Sequence, residues 1–451
     1  MSALLDDLAG AVSTLVTDPA AMEGYRRDQC LLTEAGRPAA VVIAKALEEV
    51  AATVRVARKH RVPLVTRGAG TGLAGAANAI DGCIVLVLSR LDRILAIDPI
   101  ARSAVVQPGV LNGDLDRAAA AHGLWYAPDP GSRAISTIGG NLATNAGGMC
   151  CAKYGVTADH VQQLTAVLGT GETVHTGALT RKNVAGLDLT RLLVGSEGTL
   201  GIIVEATVRL RRRPAAVATV AASFPTAQDA IATVLELGDG AAAVELMDRT
   251  TVRAVNAATR MNLDEHAGAV MLAQFDGADD TAVGAQAQHC AVLAESRGAE
   301  VFHTVDIAEG EALMEARRAA YPALERLGAT LLDDVAVGAH RMPALLAQIE
   351  QIAARYDVII GTFGHAADGN LHPTIVFDPA DSGQRDRARM AFDDIVAAAI
   401  EHGGTISGEH GIGVLKQDML DRQVGSVELA LMHRIKAAFD PDGILNPGRA
   451  Y

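Results

Sequence analysis

Apolar positions recur along the chain in two rhythms. From Val41 to His60 they return at helical spacing, and residues 1 to about 60 read as helices. Short apolar runs then predict strands at Val62–Thr66, Cys83–Leu88, Ile94–Ile97 and Ser103–Gln107, with a helix over Leu111–His122. After a Pro-containing break at Arg213-Pro214, strands and helices interleave. The strands fall at Val217–Phe224, Ala242–Leu246, Val270–Phe275, Glu300–Val305, Leu331–Val337, Val358–Gly364 and Leu371–Phe377. The helices fall at Ala227–Leu237, Ala282–Ser296, Ala308–Ala320, Met342–Ala354 and Arg385–His402. This pattern predicts an α+β domain, a sheet with helices on one face.

Two stretches interrupt the rhythm with small residues. In Arg67-Gly68-Ala69-Gly70-Thr71-Gly72-Leu73-Ala74-Gly75 the glycines match a dinucleotide fingerprint, with Asp92 near its acidic position. The next strand begins at Cys83, however, which leaves no room for the crossover helix of a βαβ unit. The stretch reads instead as a loop whose backbone N–H groups form a nest for a pyrophosphate. Pro128 to Gly148 is denser still in small residues. Glycines such as Gly139, Gly140 and Gly147 let its backbone run close against a large flat ligand, while Ser136, Thr137, Asn141, Thr144 and Asn145 supply polar groups. Ile138 and Leu142 within it point to ordered packing.

Asp368-Gly369 between two apolar runs predicts a two-residue hairpin turn. Counting outward places His365 opposite His372, where facing Cβ atoms lie about 5 Å apart. Two such imidazoles can share a metal ion. The stretch alone is equally compatible with two polar surface histidines on a loop.

Composition narrows the classes. A chain of 451 residues exceeds one hydrophobic core and predicts two or three domains. Its formal net charge of −14 argues against nucleic acid or an anionic membrane surface as main partner. The basic run Arg209 to Arg213 reads as a solvated strand end. Five cysteines, at 30, 83, 150, 151 and 290, fit no metal or disulfide spacing, which suits a reducing cytoplasm and excludes a cysteine-ligated iron–sulfur cluster within this chain. Met1 to Asp7 lacks a basic region and a long apolar run, so no signal peptide is expected, and no run is long enough to predict a transmembrane helix.

Taken together, Arg67–Gly75, Pro128–Gly148, Gly195–Gly201, the histidine hairpin, Gly408-Glu409-His410-Gly411-Ile412-Gly413 and Ile444-Leu445-Asn446-Pro447-Gly448 resemble one family. It is the FAD-linked 2-hydroxyacid dehydrogenases, which include D-lactate dehydrogenase, D-2-hydroxyglutarate dehydrogenase and the glycolate oxidase flavoprotein subunit. Their fold is that of vanillyl-alcohol oxidase and p-cresol methylhydroxylase. The resemblance implies an FAD-binding domain over 1–213, an antiparallel-sheet α+β cap over 214–402 carrying the hairpin, and a segment 403–451 returning to the FAD domain. It further implies that the glycine-rich loops, with Pro128 and Asp129, wrap the cofactor, that Glu197, Gly201 and Ile203 lie along its adenine side, and that Asn446 sits near the flavin. Thr71 stands where some relatives carry a histidine that bonds FAD covalently, so FAD is expected to be held non-covalently. Glu409 looks like the third ligand beside His365 and His372 for a divalent metal, with zinc the expected ion. His410 looks like the general base, and Arg317 like the arginine that grips the substrate carboxylate.

The implied activity is oxidation of a small D-2-hydroxy acid to the 2-oxo acid, with electrons leaving for a separate acceptor: a quinone, a cytochrome or an electron-transfer flavoprotein. Leu332 and Tyr321 occupy positions where relatives acting on 2-hydroxyglutarate carry polar or basic groups, and Gly338 replaces a frequent proline. That favours D-lactate or glycolate over a second carboxylate. The flavin subunit of a glycolate-oxidising complex, needing an iron–sulfur partner chain, is the nearest alternative. A non-redox flavoprotein of this fold, such as an ether-lipid synthase, needs no metal–alkoxide and would not call for the histidine–glutamate set. A cytoplasmic location, peripheral membrane association and a homodimer are all compatible with the sequence.

Overall fold

Val50, Ala51, Val54 and Ala57 turn one side of the helix Leu47–His60 inward, where all four are buried. Glu48 and Glu49 in its first turn and Arg58, Lys59 and His60 in its last complement the helix dipole. In the computed structural model, which describes residues 2–451, this helix leads from strand Ala40–Ile43 to strand Leu64–Arg67. The start of the expected helix from Val41 is therefore strand. Three consecutive β-branched residues, Val41, Val42 and Ile43, favour an extended chain over a helix.

The chain folds as two compact units. The first comprises residues 1–147, 155–213 and 409–451. Its four-stranded sheet has the order Leu15–Val16, Ala40–Ile43, Ile84–Val87, Leu64–Arg67. Leu64–Arg67 and Ile84–Val87 are parallel, and the chain between them carries no helix, as the spacing of the glycine loop implied. A five-stranded antiparallel sheet follows, in the order Ile94–Asp98, Ser103–Val106, Ile202–Arg209, Val161–Val167, Thr173–Gly177. Leu445 bridges to Leu64, so the end of the chain is built into this unit.

The second unit comprises residues 148–154 and 214–408. The chain thus divides at Arg213, but the return falls at Glu409 and not at 403. The reason is local: Thr405 exchanges two backbone hydrogen bonds with Ala336, at 2.7 and 3.1 Å. The excursion at 148–154 has a similar cause, because Lys153 and the Tyr154 hydroxyl both bond to Asp276.

Its eight-stranded sheet runs Glu300–Thr304, Ala216–Phe224, Ala269–Gly277, Ala243–Asp248, Ile359–His365, Asn370–Phe377, Ala329–Leu332, with Val335–Ala336 also paired to Asn370–Phe377. Every pairing is antiparallel. Helices cover both faces, not one. Gly310 packs on Thr219 beside Gln274, whereas Gly277, on the opposite face of the same strand as Gln274, packs on Val283. Asn370–Phe377 is buried along its whole length, and a strand buried on both sides needs cover on both.

The hairpin differs from its expected register. His365 faces Asn370 and Phe363 faces His372. The turn is Ala366 to Gly369, because only Gly369 takes a left-handed φ (81°) while a two-residue turn needs positive φ at Asp368 as well. The Gly369 N–H donates back to the His365 carbonyl at 3.0 Å. The slip is by two positions, so the side-chain alternation is preserved and both histidines stay on one face. They are diagonal neighbours, ring centroids 5.2 Å apart.

A Cβ at Gly369 would lie 1.9 Å from the Val337 carbonyl oxygen, at a φ that side chains disfavour. Gly369→Ala is therefore expected to destabilise the protein by about 2 kcal/mol or more, measured as a lowered denaturant midpoint of the cofactor-loaded form. An unchanged midpoint would contradict this turn geometry.

Candidate active site

In the first unit the two small-residue stretches meet. A Cβ on Gly68 would lie 2.5 Å from the Thr137 hydroxyl, so the Gly68 backbone lies against the Thr137 side chain as only glycine permits. Thr137 caps the short helix Ile138–Thr144 by accepting from the Gly140 N–H. Asn145 ends that helix with a left-handed φ, and its side-chain oxygen accepts from the Ala158 N–H at 2.8 Å. Thr144 bonds back to the Gly140 carbonyl. Those three polar groups therefore have partners within the fold. Ser136 and Asn141 differ: the Ser136 hydroxyl and the Asn141 amide nitrogen are buried with no hydrogen-bond partner among the described residues. Buried polar atoms are seldom left so, and two of them beside the glycine loops fit a bound polar cofactor.

The remaining residues expected around the cofactor divide by role. Arg67 is buried, donates to the Arg27 carbonyl at 2.7 Å, and lies over Gly70, where a Cβ would strike its guanidinium. Ala69, Thr71 and Gly72 follow on the same loop; the Gly72 carbonyl accepts from the Gln29 N–H. The Pro128 carbonyl accepts from the Asn112 amide, and Asp129 beside it is buried. Gly147 is the last residue before the 148–154 excursion. Gly201 packs against Leu193, and Ile203 lies in the apolar core of the five-stranded sheet. Both oxygens of Glu197 accept backbone N–H groups, from Ile412 and Gly413, at 2.8 Å each. Asn446 joins the same knot, donating to the Glu197 carbonyl at 2.6 Å and accepting from the Thr66 N–H at 2.9 Å.

The second unit gathers a polar array on one buried face of its sheet. Glu245, its side chain wholly buried, stands directly opposite His365 on the neighbouring strand. Its Oε1 lies 2.7 Å from His365 Nδ1, and its Oε2 lies 2.7 Å from Arg317 Nε. Arg317, buried at the end of the helix Ile307–Arg318, also stacks its guanidinium carbon 4.5 Å from the Phe363 ring centre. Burial alone would push the Glu245 carboxyl up, but positive charge at His365 and Arg317 outweighs it and holds the group below its usual value. His372 has a second carboxylate nearby, Asp334 Oδ1 at 3.7 Å from Nδ1. The Asn370 amide and the Ser407 hydroxyl, each at 2.8 Å, hold Asp334 in place.

Sequence reasoning brought His365, His372 and Arg317 to attention and missed Glu245 and Asp334. A signal existed: each is an acid within an apolar strand run, Ala-Val-Glu-Leu-Met and Leu-Leu-Asp-Asp-Val, and a carboxylate there needs a buried partner. Glu409 and His410 begin the chain's return to the first unit, with His410 Nε2 4.0 Å from Glu409 Oε1. They follow directly on Ser407, which bonds Asp334, and Gly408, where a Cβ would lie 2.4 Å from the Asn370 amide nitrogen.

The fold of the chain is that of the vanillyl-alcohol oxidase and p-cresol methylhydroxylase flavoproteins. The structure of p-cresol methylhydroxylase with substrate bound matches 100% of this chain and 96% of its own with a TM-score of 0.84 at 17% identity. The chain belongs to the FAD-linked oxidases: residues 38–177 match the model described as "FAD binding domain" and residues 213–450 the one described as "FAD linked oxidases, C-terminal domain". It is therefore an FAD-linked oxidoreductase, and the family resemblance read from its motifs holds. Among its relatives, the "Glycolate oxidase subunit GlcD" of Bacillus subtilis is 40% identical over 418 residues, covering 92% of this chain and 89% of that protein. The "D-lactate dehydrogenase" of Anaerostipes hadrus is 36% identical over 440 residues, covering 95% and 92%. No helix among the described residues is long and apolar enough to cross a membrane.

Burial pushes the Glu197 carboxyl up to about 7, against the pull of the Ile412 and Gly413 N–H groups and of Arg449. The folded protein thus holds this proton more tightly than the unfolded chain, whose value is near 4.5, and the Glu197 contribution to stability falls as pH rises from about 4.5 to about 7. Thermal unfolding of the wild type and of Glu197→Gln should differ by an amount that changes across that window and is flat outside it. A pH-independent difference would show that Glu197 titrates normally.

Proposed function

We propose that the protein oxidises a small D-2-hydroxy acid, D-lactate or glycolate in size, to the 2-oxo acid and passes the electrons to a separate acceptor. The observation that carries this reading is the array Glu245–His365–Arg317 with His372, two imidazoles and a guanidinium on one buried sheet face, which supports metal ligation and carboxylate binding there. When bound, FAD supplies the acceptor for the Cα hydride, and a divalent ion, zinc by the chemistry of a two-histidine, one-glutamate set, supplies Lewis acidity at the substrate hydroxyl. His365 and His372 are the ion's ligands within the second unit, and Glu409, next in sequence after Gly408, is the third. Arg317 takes the substrate carboxylate through its terminal nitrogens, its Nε being engaged by Glu245. His410 takes the hydroxyl proton on an imidazole nitrogen. Ser136 and Asn141 bind the cofactor through the groups left without partners in the fold.

The names of the relatives support a short 2-hydroxy acid, and the name of the first, a subunit, supports a second reading in which this chain works with a partner chain.

Anaerobic mixing of metal-loaded protein with D-lactate, L-lactate, glycolate and D-2-hydroxyglutarate, followed by flavin absorbance, tests the proposal. D-lactate or glycolate should bleach the flavin and L-lactate should not; no bleaching by any of them would sink the reading. His410→Ala should keep FAD and metal and slow bleaching by roughly 10²–10⁴-fold. A wild-type rate in that variant would remove His410 as the base.

A further inference from the structure

We propose that Glu245 is the positioning residue that ties the metal-ligand imidazole of His365 to the substrate-binding guanidinium of Arg317. The inference rests on the reading above and goes beyond it by assigning both settings to one carboxylate.

Three features of the geometry carry it. First, an ionised carboxylate only accepts hydrogen bonds, so with Oε1 at 2.7 Å the proton of His365 sits on Nδ1 and the lone pair on Nε2, which is the tautomer that ligates an ion through Nε2. Second, Oε2 forms an ion pair with Arg317, 2.7 Å from Nε but outside hydrogen-bond alignment, and the two terminal nitrogens of Arg317 make no hydrogen bond to the described residues. Those are the nitrogens that meet a carboxylate in parallel fashion. Third, Glu245 itself cannot wander. It is 1% exposed, sits mid-strand, and is paired on one side with His365 and on the other with Leu272. Phe363, opposite His372, closes the Arg317 guanidinium from its face while Glu245 holds its edge. The distance between metal ligand and anion grip is thus set by one rigid group. Asp334 stands toward His372 in a looser version of the same relation, at 3.7 Å.

Glu245→Gln tests the assignment. The amide carries no charge and has one acceptor and one donor end, so it can accept from His365 Nδ1–H only while turning an uncharged NH2 group toward Arg317, which loses its ion pair. The FAD-loaded variant is expected to bind Zn²⁺ roughly 10–100-fold more weakly in chelator competition, with a changed visible spectrum of bound Co²⁺, and to show a raised KM. Its FAD content should match the wild type. Glu245→Asp keeps the charge but shortens the reach, and should fall between the two. Arg317→Lys should raise KM while leaving Zn²⁺ affinity near wild type, because His365 keeps its carboxylate.

Zn²⁺ affinity and Co²⁺ spectrum of Glu245→Gln equal to wild type would overturn the proposal. If that variant fails to accumulate as holo-protein, Glu245→Asp decides: unchanged metal affinity and KM overturn it as well. A wild-type protein that binds metal but is reduced by no 2-hydroxy acid overturns the reaction and leaves the metal comparison to decide Glu245. A wild-type protein that binds no metal overturns both.

Discussion

A carboxylate shut away from water must find its positive charge inside the protein. Glu245 meets that constraint with His365 and Arg317 together, and the site is organised around the answer. The Arg317 guanidinium neutralises the charge of Glu245 and the His365 Nδ1–H satisfies its other oxygen, so one carboxylate sets the orientation of both groups on the same sheet face. Structure and chemistry share one origin here: the charge that would destabilise the sheet if left alone is also what orients the groups that act.

The antiparallel sheet makes this possible at little conformational cost. Period-two alternation places Glu245, Phe363, His365, Asn370 and His372 on one face from three adjacent strands, although they lie far apart in sequence. The same alternation explains why an error in the expected hairpin register did no harm to the site. A slip of one position would have sent one histidine to the other face, whereas the observed slip of two keeps both.

Much of the fold was legible in the sequence because its signals are local. The apolar runs of the second domain, the break at Arg213-Pro214 and the two glycine-rich stretches each announce themselves within a dozen residues. What escaped was set by distant partners. Val41–Ile43 became strand because Ile84–Val87 lies beside it, and residues 403–408 belong to the second unit because Thr405 pairs with Ala336. Glu245 and Asp334 escaped for the same reason: an acid within an apolar run states that a partner exists without naming it. His365, His372 and Arg317 could be picked out by type and by family resemblance, but the carboxylates behind them required the pairing of strands.

The claim on which the rest turns is that Glu245, held on Nδ1 of His365, makes Nε2 the nitrogen by which His365 meets an ion shared with His372. Diffraction from crystals of the zinc-loaded protein, collected at the zinc absorption edge, tests it most directly. One anomalous peak is expected about 2.0–2.1 Å from Nε2 of His365 and from a ring nitrogen of His372, with Glu245 still on Nδ1 of His365. A peak elsewhere in the molecule, or ligation through Nδ1 of His365, would contradict it.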